Sequence, residues 1–347
     1  REPYVDCANN RGELKWNEWC PPERRHGFDH WYAYGTYDHH LRPLYWTHDA
    51  PRDGFHYVDQ WGPEHEADKA IEYIRNDGGH LRDPDKPFAL VVSMNPPHTP
   101  YAAHPEQYDA FYADQDTEAL CTRPNIPGPD TRWGAHYRKH IRDYFASVTG
   151  VDDQFGRIVQ AVDEVGLGED TIVVFTSDHG DCVGIHDQVT KNNHYEEAMR
   201  IPFLIRWTGR IRPRQDDLLL STPDLFPTLL DLMGCADDLP PDLHGRSHAD
   251  LFRTGEGERP ASQPYMWVPV GQPDWGRRGV RTHRYTLEIS HVPDRPARTV
   301  LHDNREDPYQ MKNIAADRPE VVDQLIREEL KPWLERTGDP WIRHLVS

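Results

Sequence analysis

One stretch of the chain, an apolar run that ends in ionisable residues, limits the possible folds most strongly. Residues 171–177 are apolar and rich in β-branched side chains, and Asp178-His179-Gly180-Asp181 follows directly. A continuous β-branched run of this length is typical of a strand buried on both faces of a parallel sheet. Because ligands of open α/β sheets bind beyond the carboxyl ends of such strands, the pattern predicts a functional site just after Ser177.

Strand and helix patterns alternate around this run. Apolar residues recur every three or four positions over residues 136–165, which predicts an amphipathic helix ended by Gly166. Buried strands are also predicted at residues 88–94 and 203–207, shorter helices at 64–77 and 224–233, and loop up to about residue 63. Strand, helix and strand joined by short links favour right-handed crossovers, so the predicted fold class is α/β, a three-layer α/β/α sandwich.

The pattern changes after about residue 240. Short strands separated by Pro, Gly and Asp are predicted at residues 265–270, 279–282, 285–289 and 299–302, followed by a helix over 319–335. This order is typical of a small antiparallel subdomain with a packing helix. We therefore predict two domains, an α/β core at residues 1–240 and a small α+β subdomain at 241–347.

Several segments occur in the order found in one known family. The segment TSDHGDCVGIHDQVTKNNHYEEAMRIPFLIRW resembles the metal-binding and lysine segment of the type I sulfatases, which belong to the alkaline-phosphatase-like superfamily. Pro97-His98-Thr99-Pro100 is similar to the family's Pro-His-x-Pro element, and Gly27-Phe28-Asp29 to its Gly-Phe-Asp element. The resemblance covers most of the chain. It implies an alkaline-phosphatase-like fold and hydrolysis of sulfate monoesters.

The resemblance also implies a divalent metal. Asp178 and His179 match two of the family's metal ligands, and the ion is expected to be Ca²⁺. Many relatives carry asparagine where this chain has His179, and an imidazole nitrogen makes Mn²⁺ an alternative to Ca²⁺. A tight turn with a capped carboxylate is the competing interpretation of Asp178.

Two further residues are assigned by the same resemblance, and His194 is singled out because it lies three residues beyond Lys191. Lys191 matches the lysine that contacts a sulfate oxygen and the bridging oxygen, where an ammonium offsets charge as the S–O bond breaks. His98 matches the histidine that binds sulfate and protonates the leaving group. His194 is expected to line the substrate pocket. The competing interpretations are a solvated lysine, a loop histidine held between prolines and a surface histidine.

Some elements of a complete sulfatase are not found in this sequence. The family's aspartate pair after a strand, its Cys-x-Pro-x-Arg nucleophile segment and its Gly-Lys-Trp-His strand end are not found in the family's order and context within residues 1–347. We therefore expect the chain to represent the C-terminal two thirds of a sulfatase, inactive alone, with the formylglycine nucleophile on an absent segment. Cys20-Pro-Pro-Glu-Arg24 fits the cysteine spacing, but Glu23 would repel an incoming sulfate and the position in the chain does not match.

Composition narrows the choice of partners. The 39 basic and 58 acidic residues give a net charge of −19, which disfavours nucleic acid and anionic membrane surfaces as partners. No apolar run approaches the ~20 residues that cross a bilayer.

The expected partner is a small-molecule or carbohydrate sulfate ester. The resemblance implies a periplasmic or secreted location, and the oligomeric state is left open. A phosphonate or phosphate ester hydrolase of the same superfamily and a catalytically silent fragment remain alternatives.

Overall fold

The structure is a computed structural model that describes residues 4–8, 14–35 and 38–345. The chain forms two compact units, one of Arg1–Thr122 with Ala135–Val173 and one of Arg123–Gly134 with Val174–Ser347. The domain division at residue 240 remains a prediction. Within the described residues, no helix combines the length and apolar character needed to span a bilayer.

The regular elements are connected by short turns and 3₁₀ segments. The strands are β1 (Tyr4–Ala8), β2 (Leu14–Glu18), β3 (Leu44–Tyr45), β4 (His56–Tyr57), β5 (Val173–Thr176), β6 (Phe203–Arg206), β7 (Ser262–Trp267), β8 (Gly276–Thr282), β9 (Tyr285–His291) and β10 (Arg298–Asp303). The helices are α1 (Gly62–Arg75), α2 (Arg132–Glu164), α3 (Glu196–Met199), α4 (Thr222–Leu232), α5 (Ala249–Thr254), α6 (Pro319–Leu325) and α7 (Lys331–Thr337).

The first unit is built around two of the predicted helices. Helix α1 has a proline in its first turn and ends at Asn76, which adopts the left-handed conformation that stops a helix. Its residue Ile74 packs against Ala161 and Val162 of α2, and all three are buried. The helices predicted at 64–77 and 136–165 are thus confirmed, and α2 begins four residues earlier than predicted.

Aromatic residues of the N-terminal stretch form a second part of this unit's core. Tyr45, Trp46 and Trp61 are each almost completely buried, and Trp46 packs against Phe55. This stretch was predicted to be loop alone, but it contains two antiparallel strand pairs, β1 with β2 and β3 with β4. Strands β3 and β4 have only two residues each, too few to show a period-two pattern, which explains why the sequence did not reveal that pair.

The strand predicted at residues 88–94 is wrong. This segment has no ladder partner among the described residues, and exposure alternates along it, with Val91 70% exposed. Phe88 and Leu90 pack instead against the α1 and α2 core. An apolar run becomes a strand only when neighbouring strands accept its backbone hydrogen bonds, and the described part of the chain does not supply them.

The second unit contains both remaining sheets. Strand β5 pairs with β6, which confirms that strands lie within the predicted ranges 171–177 and 203–207. The predicted burial on both faces is wrong within the described residues, because the residues of β5 and β6 are half-buried or exposed. Helix α4 begins with a capping box in which the Asp224 side chain accepts a hydrogen bond from the Ser221 amide at 3.0 Å. The C-terminal sheet is antiparallel in the order β10, β9, β8 and β7. Its face packs on α6 and α7, which are joined by a π-helical turn at Ile326–Leu330, around a buried core of Val280, Leu287, Leu301, Leu330, Leu334 and Trp341.

A buried ion pair ties this sheet to the end of the chain. The Arg278 guanidinium donates to both carboxylate oxygens of Asp339, at 2.6 and 3.1 Å, and the two side chains are only 2% and 7% exposed. Asp339 also accepts the Trp341 amide hydrogen at 2.9 Å. Removing one partner of such a pair leaves an uncompensated buried charge, which is far more costly than losing an exposed pair.

We expect Asp339→Asn to lower the free energy of unfolding by about 3 kcal/mol, because the Arg278 charge stays buried without its partner. Urea unfolding followed by tryptophan fluorescence measures this change. The matched control is Asp317→Asn, since Asp317 pairs with Lys312 at the surface and both side chains are more than half exposed. The control should change stability by less than about 1 kcal/mol. Equal effects of the two substitutions would contradict the prediction.

Candidate active site

The turn after β5 carries the two predicted metal ligands. Asp178 lies two residues beyond the strand, and its side chain is 83% exposed. One of its oxygens accepts the His179 amide hydrogen at 2.9 Å, and the other lies 3.3 Å from His179 Nε2. The hydroxyl of Ser177 donates to the His179 carbonyl oxygen at 2.8 Å and so closes the turn. A carboxylate oxygen and an imidazole nitrogen therefore face the same point.

The orientation of His179 fits a metal ligand. Its Nδ1 lies 2.9 Å from the Gly180 carbonyl oxygen, which can only accept, so Nδ1 carries the proton in the neutral ring. The lone pair of Nε2 then points toward the Asp178 carboxylate. This is the arrangement in which a histidine binds a metal through one nitrogen and is oriented by the other. Two donors do not complete the six to eight oxygen ligands that Ca²⁺ usually takes, so a bound ion would need further ligands.

Gly180 is required where this turn meets α3. Its amide donates to the Ala198 carbonyl oxygen at 2.8 Å. A Cβ at position 180 would overlap the carbonyl oxygen of Glu197, so no other residue fits without moving the backbone. The third residue of the Asp-His-Gly sequence therefore serves the packing of the turn rather than the chemistry.

Asp181 closes the neck of the loop that follows. Its Oδ1 accepts the amide hydrogens of Val183 at 2.8 Å and Thr190 at 3.0 Å. The Cys182 amide donates to the Thr190 carbonyl oxygen at 3.0 Å. The two bonds that involve Thr190 bring the ends of the loop together, and the next residue is Lys191. The structure thus assigns Asp181 a role in positioning that sequence reasoning did not find.

The loop itself has an unusually strained backbone. Positive φ angles occur at the non-glycine residues Val183, His186, Asp187, Thr190 and Asn192. Such angles are unfavourable for L-residues, and most of all for β-branched residues such as valine and threonine. They persist only where surrounding contacts enforce them, and they are concentrated at functional sites. The partly buried Lys191 lies between two of these residues, at φ of 71° and 70°.

A buried hydrogen bond between His186 and Glu197 holds the loop in this conformation. His186 Nε2 lies 3.2 Å from Glu197 Oε2, and both side chains are almost entirely buried. The Asn125 side-chain amide and the Arg123 guanidinium donate to Glu197 Oε1 at 2.8 and 2.9 Å. Burial alone would raise the pKa of Glu197, but the hydrogen bonds from His186 and Asn125 lower this pKa to about 2. The carboxylate is therefore ionised throughout the physiological range.

His194 is buried at the end of the same segment. Its Nδ1 lies 2.9 Å from Glu288 Oε2, and its Nε2 lies 3.2 Å from His302 Nε2. Burial, together with the neighbouring His194, lowers the pKa of His302 to about 4, so that ring is neutral near pH 7. His302 Nδ1 faces the Lys312 carbonyl oxygen at 2.9 Å, so its Nε2 accepts from His194. Both ring nitrogens of His194 thus have protein partners, and its contact with substrate remains a prediction.

His98 lies in the first unit, whereas the other four predicted site residues lie in the second. Its Nδ1 is 3.6 Å from Asp38 Oδ1 and 3.1 Å from the Thr99 carbonyl oxygen. The buried His40 bonds to the His98 carbonyl oxygen at 2.9 Å and so supports the loop. The ring is partly exposed, and the Asp38 carboxylate is its neighbour. Its role as the acid remains a prediction.

The segment around Cys20 differs from the environment expected of a nucleophile. Pro22–Arg24 forms a single 3₁₀ turn, and both Glu23 and Arg24 are exposed. The carbonyl oxygen of Cys20 accepts the Arg25 Nε hydrogen at 3.1 Å. The arginine held near the cysteine is thus Arg25, whose side chain binds backbone rather than an anion. We do not assign catalysis to Cys20.

Comparison with known proteins identifies the class to which this fold and site belong. Residues 4–235 match the family model described as Sulfatase, and residues 184–337 match the one described as N-sulphoglucosamine sulphohydrolase, C-terminal. The crystal structure of yidJ from Bacteroides fragilis superposes with a TM-score of 0.92 and 48% identity, over 99% of this chain and 73% of that one. The predicted α/β, alkaline-phosphatase-like fold class is thereby confirmed. The chain belongs to the sulfatase family.

Curated relatives agree with this assignment. The chain is 41% identical over 345 residues to the endo-4-O-sulfatase of Bacteroides thetaiotaomicron, covering 94% of this chain and 66% of that protein. It is 30% identical over 329 residues to the ulvan-active sulfatase of Formosa agariphila, covering 92% of this chain and 60% of that protein. The chain therefore spans about two thirds or less of the length of these two relatives.

Proposed function

We propose that the intact protein to which this chain belongs is a sulfuric ester hydrolase that removes sulfate monoesters from carbohydrates. The proposal rests mainly on two neighbouring features. One is the turn that contains Asp178 and His179. The other is the loop that follows it, which has a strained backbone held by side-chain contacts and leads to Lys191. The relatives named for endo-4-O-sulfatase and ulvan-active sulfatase activity support a sulfated carbohydrate as the substrate class.

In this proposal Asp178 and His179 are two ligands of a divalent cation, Ca²⁺ first and Mn²⁺ as the alternative. When bound, such a cation offsets negative charge on the sulfate oxygens. Lys191 directs its ammonium at a sulfate oxygen and at the bridging oxygen, where negative charge grows as the ester bond breaks. His98 delivers the proton that the departing alkoxide needs. For His194 to contact substrate, its ring must give up a bond to Glu288 or His302.

The nucleophile is proposed to be a formylglycine on a segment outside this chain. The chain's own Cys20 lies in an environment that does not fit that role, as described above. The chain alone is therefore expected to release no sulfate, whereas the protein with its upstream coding segment restored should do so. Release of inorganic sulfate by the isolated chain at the rate of the intact protein would contradict this part of the proposal.

The substrate class is tested by kinetics on the intact protein. A 4-O-sulfated glycosaminoglycan oligosaccharide and an aryl phosphonate monoester are compared under identical conditions, and kcat/KM is measured for each. We expect kcat/KM for the sulfated oligosaccharide to exceed kcat/KM for the phosphonate by at least about two orders of magnitude. The reverse preference would overturn the proposal and favour a phosphonate ester hydrolase of the same superfamily.

A further inference from the structure

Three potential metal ligands converge in the first unit, and none belongs to the site described above. A ring nitrogen of His104 and one carboxylate oxygen each of Asp109 and Asp143 all lie within 4.8 Å of one another. His104 precedes the 3₁₀ segment Glu106–Phe111, Asp109 lies within it, and Asp143 lies on α2. The cluster therefore joins two elements that are distant in sequence.

The His104 ring is oriented by a group outside the cluster. Its side chain is only 2% exposed, and its Nδ1 lies 2.9 Å from the carbonyl oxygen of the buried residue Tyr101. A carbonyl oxygen only accepts, so Nδ1 carries a proton. The other nitrogen, Nε2, lies 2.9 Å from Asp109 Oδ1. In a neutral ring this places a lone pair against a carboxylate, which is stable only if a cation lies between them.

No fixed cation of the protein fills that position. Within residues 38–345, neither Asp109 nor Asp143 has a lysine or arginine nitrogen within 4 Å. The arginines nearest in sequence to Asp143 on α2 are directed elsewhere, Arg138 to Glu118 and Arg142 to the Gln115 carbonyl oxygen. Two carboxylates and this ring nitrogen thus lie close together, and no lysine or arginine of residues 38–345 forms an ion pair with either carboxylate. The cation must be either a second proton on His104 or an ion from solution.

We propose that His104, Asp109 and Asp143 bind a divalent transition-metal ion, for which Zn²⁺ is the best match. One imidazole nitrogen and two carboxylate oxygens are donors that Zn²⁺ accepts, and water completes the coordination. The Tyr101 carbonyl then has the role of the outer group that orients a metal-bound histidine. The Asp109 side chain is 52% exposed, so an ion can enter from solvent.

Such an ion would act on stability. It would connect the 3₁₀ segment to α2 and neutralise two carboxylates of a chain with a net charge of −19. Because it binds the folded chain, it should raise the midpoint of thermal unfolding as its concentration rises above the dissociation constant. The site shares no residue with Asp178 and His179, so its occupancy can be measured separately from theirs.

The test is titration of the chain with Zn²⁺ by calorimetry in an Asp178→Asn background, which weakens the other predicted site. We expect Asp143→Asn and, separately, Asp109→Asn each to weaken Zn²⁺ binding at least about tenfold. The matched control is Asp152→Asn, an exposed aspartate on the same helix, which should bind Zn²⁺ like its parent. Zn²⁺ should also raise the unfolding midpoint of the control but not of the two variants.

Circular dichroism checks that each variant is folded. Asp109→Asn is the safer variant because its side chain is half exposed. If both variants bind Zn²⁺ as tightly as the Asp152→Asn control, the His104 ring is held by a proton only and the proposed site is wrong. Binding lost equally in all variants, the control included, would also overturn it, since the ion would then not depend on this cluster.

Discussion

Replacing Lys191 with methionine in the intact protein is expected to lower kcat for sulfate release by about 10²- to 10³-fold. The substitution keeps the length and apolar stem of the side chain and removes only the ammonium. A charge that stabilises the developing negative oxygen contributes most in the transition state, so kcat should fall more than KM rises. Steady-state kinetics on a sulfated oligosaccharide measures both constants.

The loop explains why the effect should be so large. Asp181 closes its neck, the His186–Glu197 pair is buried beneath it, and Lys191 lies between two left-handed residues. A backbone held in place before the reaction limits the positions that the Lys191 ammonium can adopt, which favours strong electrostatic catalysis.

The matched control for this experiment is Lys331→Met. Lys331 lies on α7 and forms only an exposed pair with Glu335, so its replacement should leave both kcat and KM unchanged. If Lys191→Met retained more than half of the parent activity, Lys191 would be a solvated surface lysine and its assigned role would be wrong.

Asp178→Asn is expected to weaken binding of Ca²⁺ or Mn²⁺ at least about a hundredfold and to reduce sulfate release in proportion. Loss of an outer group that only orients a ligand costs 10- to 100-fold in affinity, so loss of a direct anionic ligand should cost at least as much. Asparagine keeps the shape of the side chain and an oxygen atom but removes the charge. Calorimetric titration of the intact protein with each ion measures the change.

Asp187→Asn is the appropriate control for this substitution. Asp187 is an exposed aspartate of the neighbouring loop, and asparagine tolerates its positive φ of 57°. Metal affinity should stay within about twofold of the parent. If Asp178→Asn lowers the activity and excess metal restores it, the result would still fit a weakened metal site. Unchanged affinity would leave Asp178 as a capped turn residue.

Much of the second unit was predictable because its signals are local. The capped α4, the four C-terminal strands and the helix from Pro319 onward are all marked by residue periods and by proline or glycine at their ends. The strand at 88–94 was mispredicted because an apolar run indicates only that its burial is favourable. Whether it pairs in a sheet or packs on helices depends on neighbouring elements, which no local pattern specifies.

The candidate site residues were also chosen from local motifs, and their roles remain predictions. Motifs led to Asp178, His179 and Lys191, but nothing in the sequence indicated the Glu197 carboxylate that clamps the loop. Its partners His186 and Asn125 lie 11 and 72 residues away, with no regular spacing. Buried polar networks of this kind are set by tertiary packing, so the structure was needed to find them. The same is true of the His194 contacts with Glu288 and His302.

A crystal structure of the intact protein with Mn²⁺ and a non-hydrolysable sulfate ester analogue would show whether Asp178, His179 and Lys191 form one site. We expect an anomalous peak within about 2.6 Å of an Asp178 oxygen and of His179 Nε2. We also expect the Lys191 ammonium within hydrogen-bond distance of a sulfate oxygen. A metal and a sulfate group bound at a place that includes none of these three side chains would contradict this expectation.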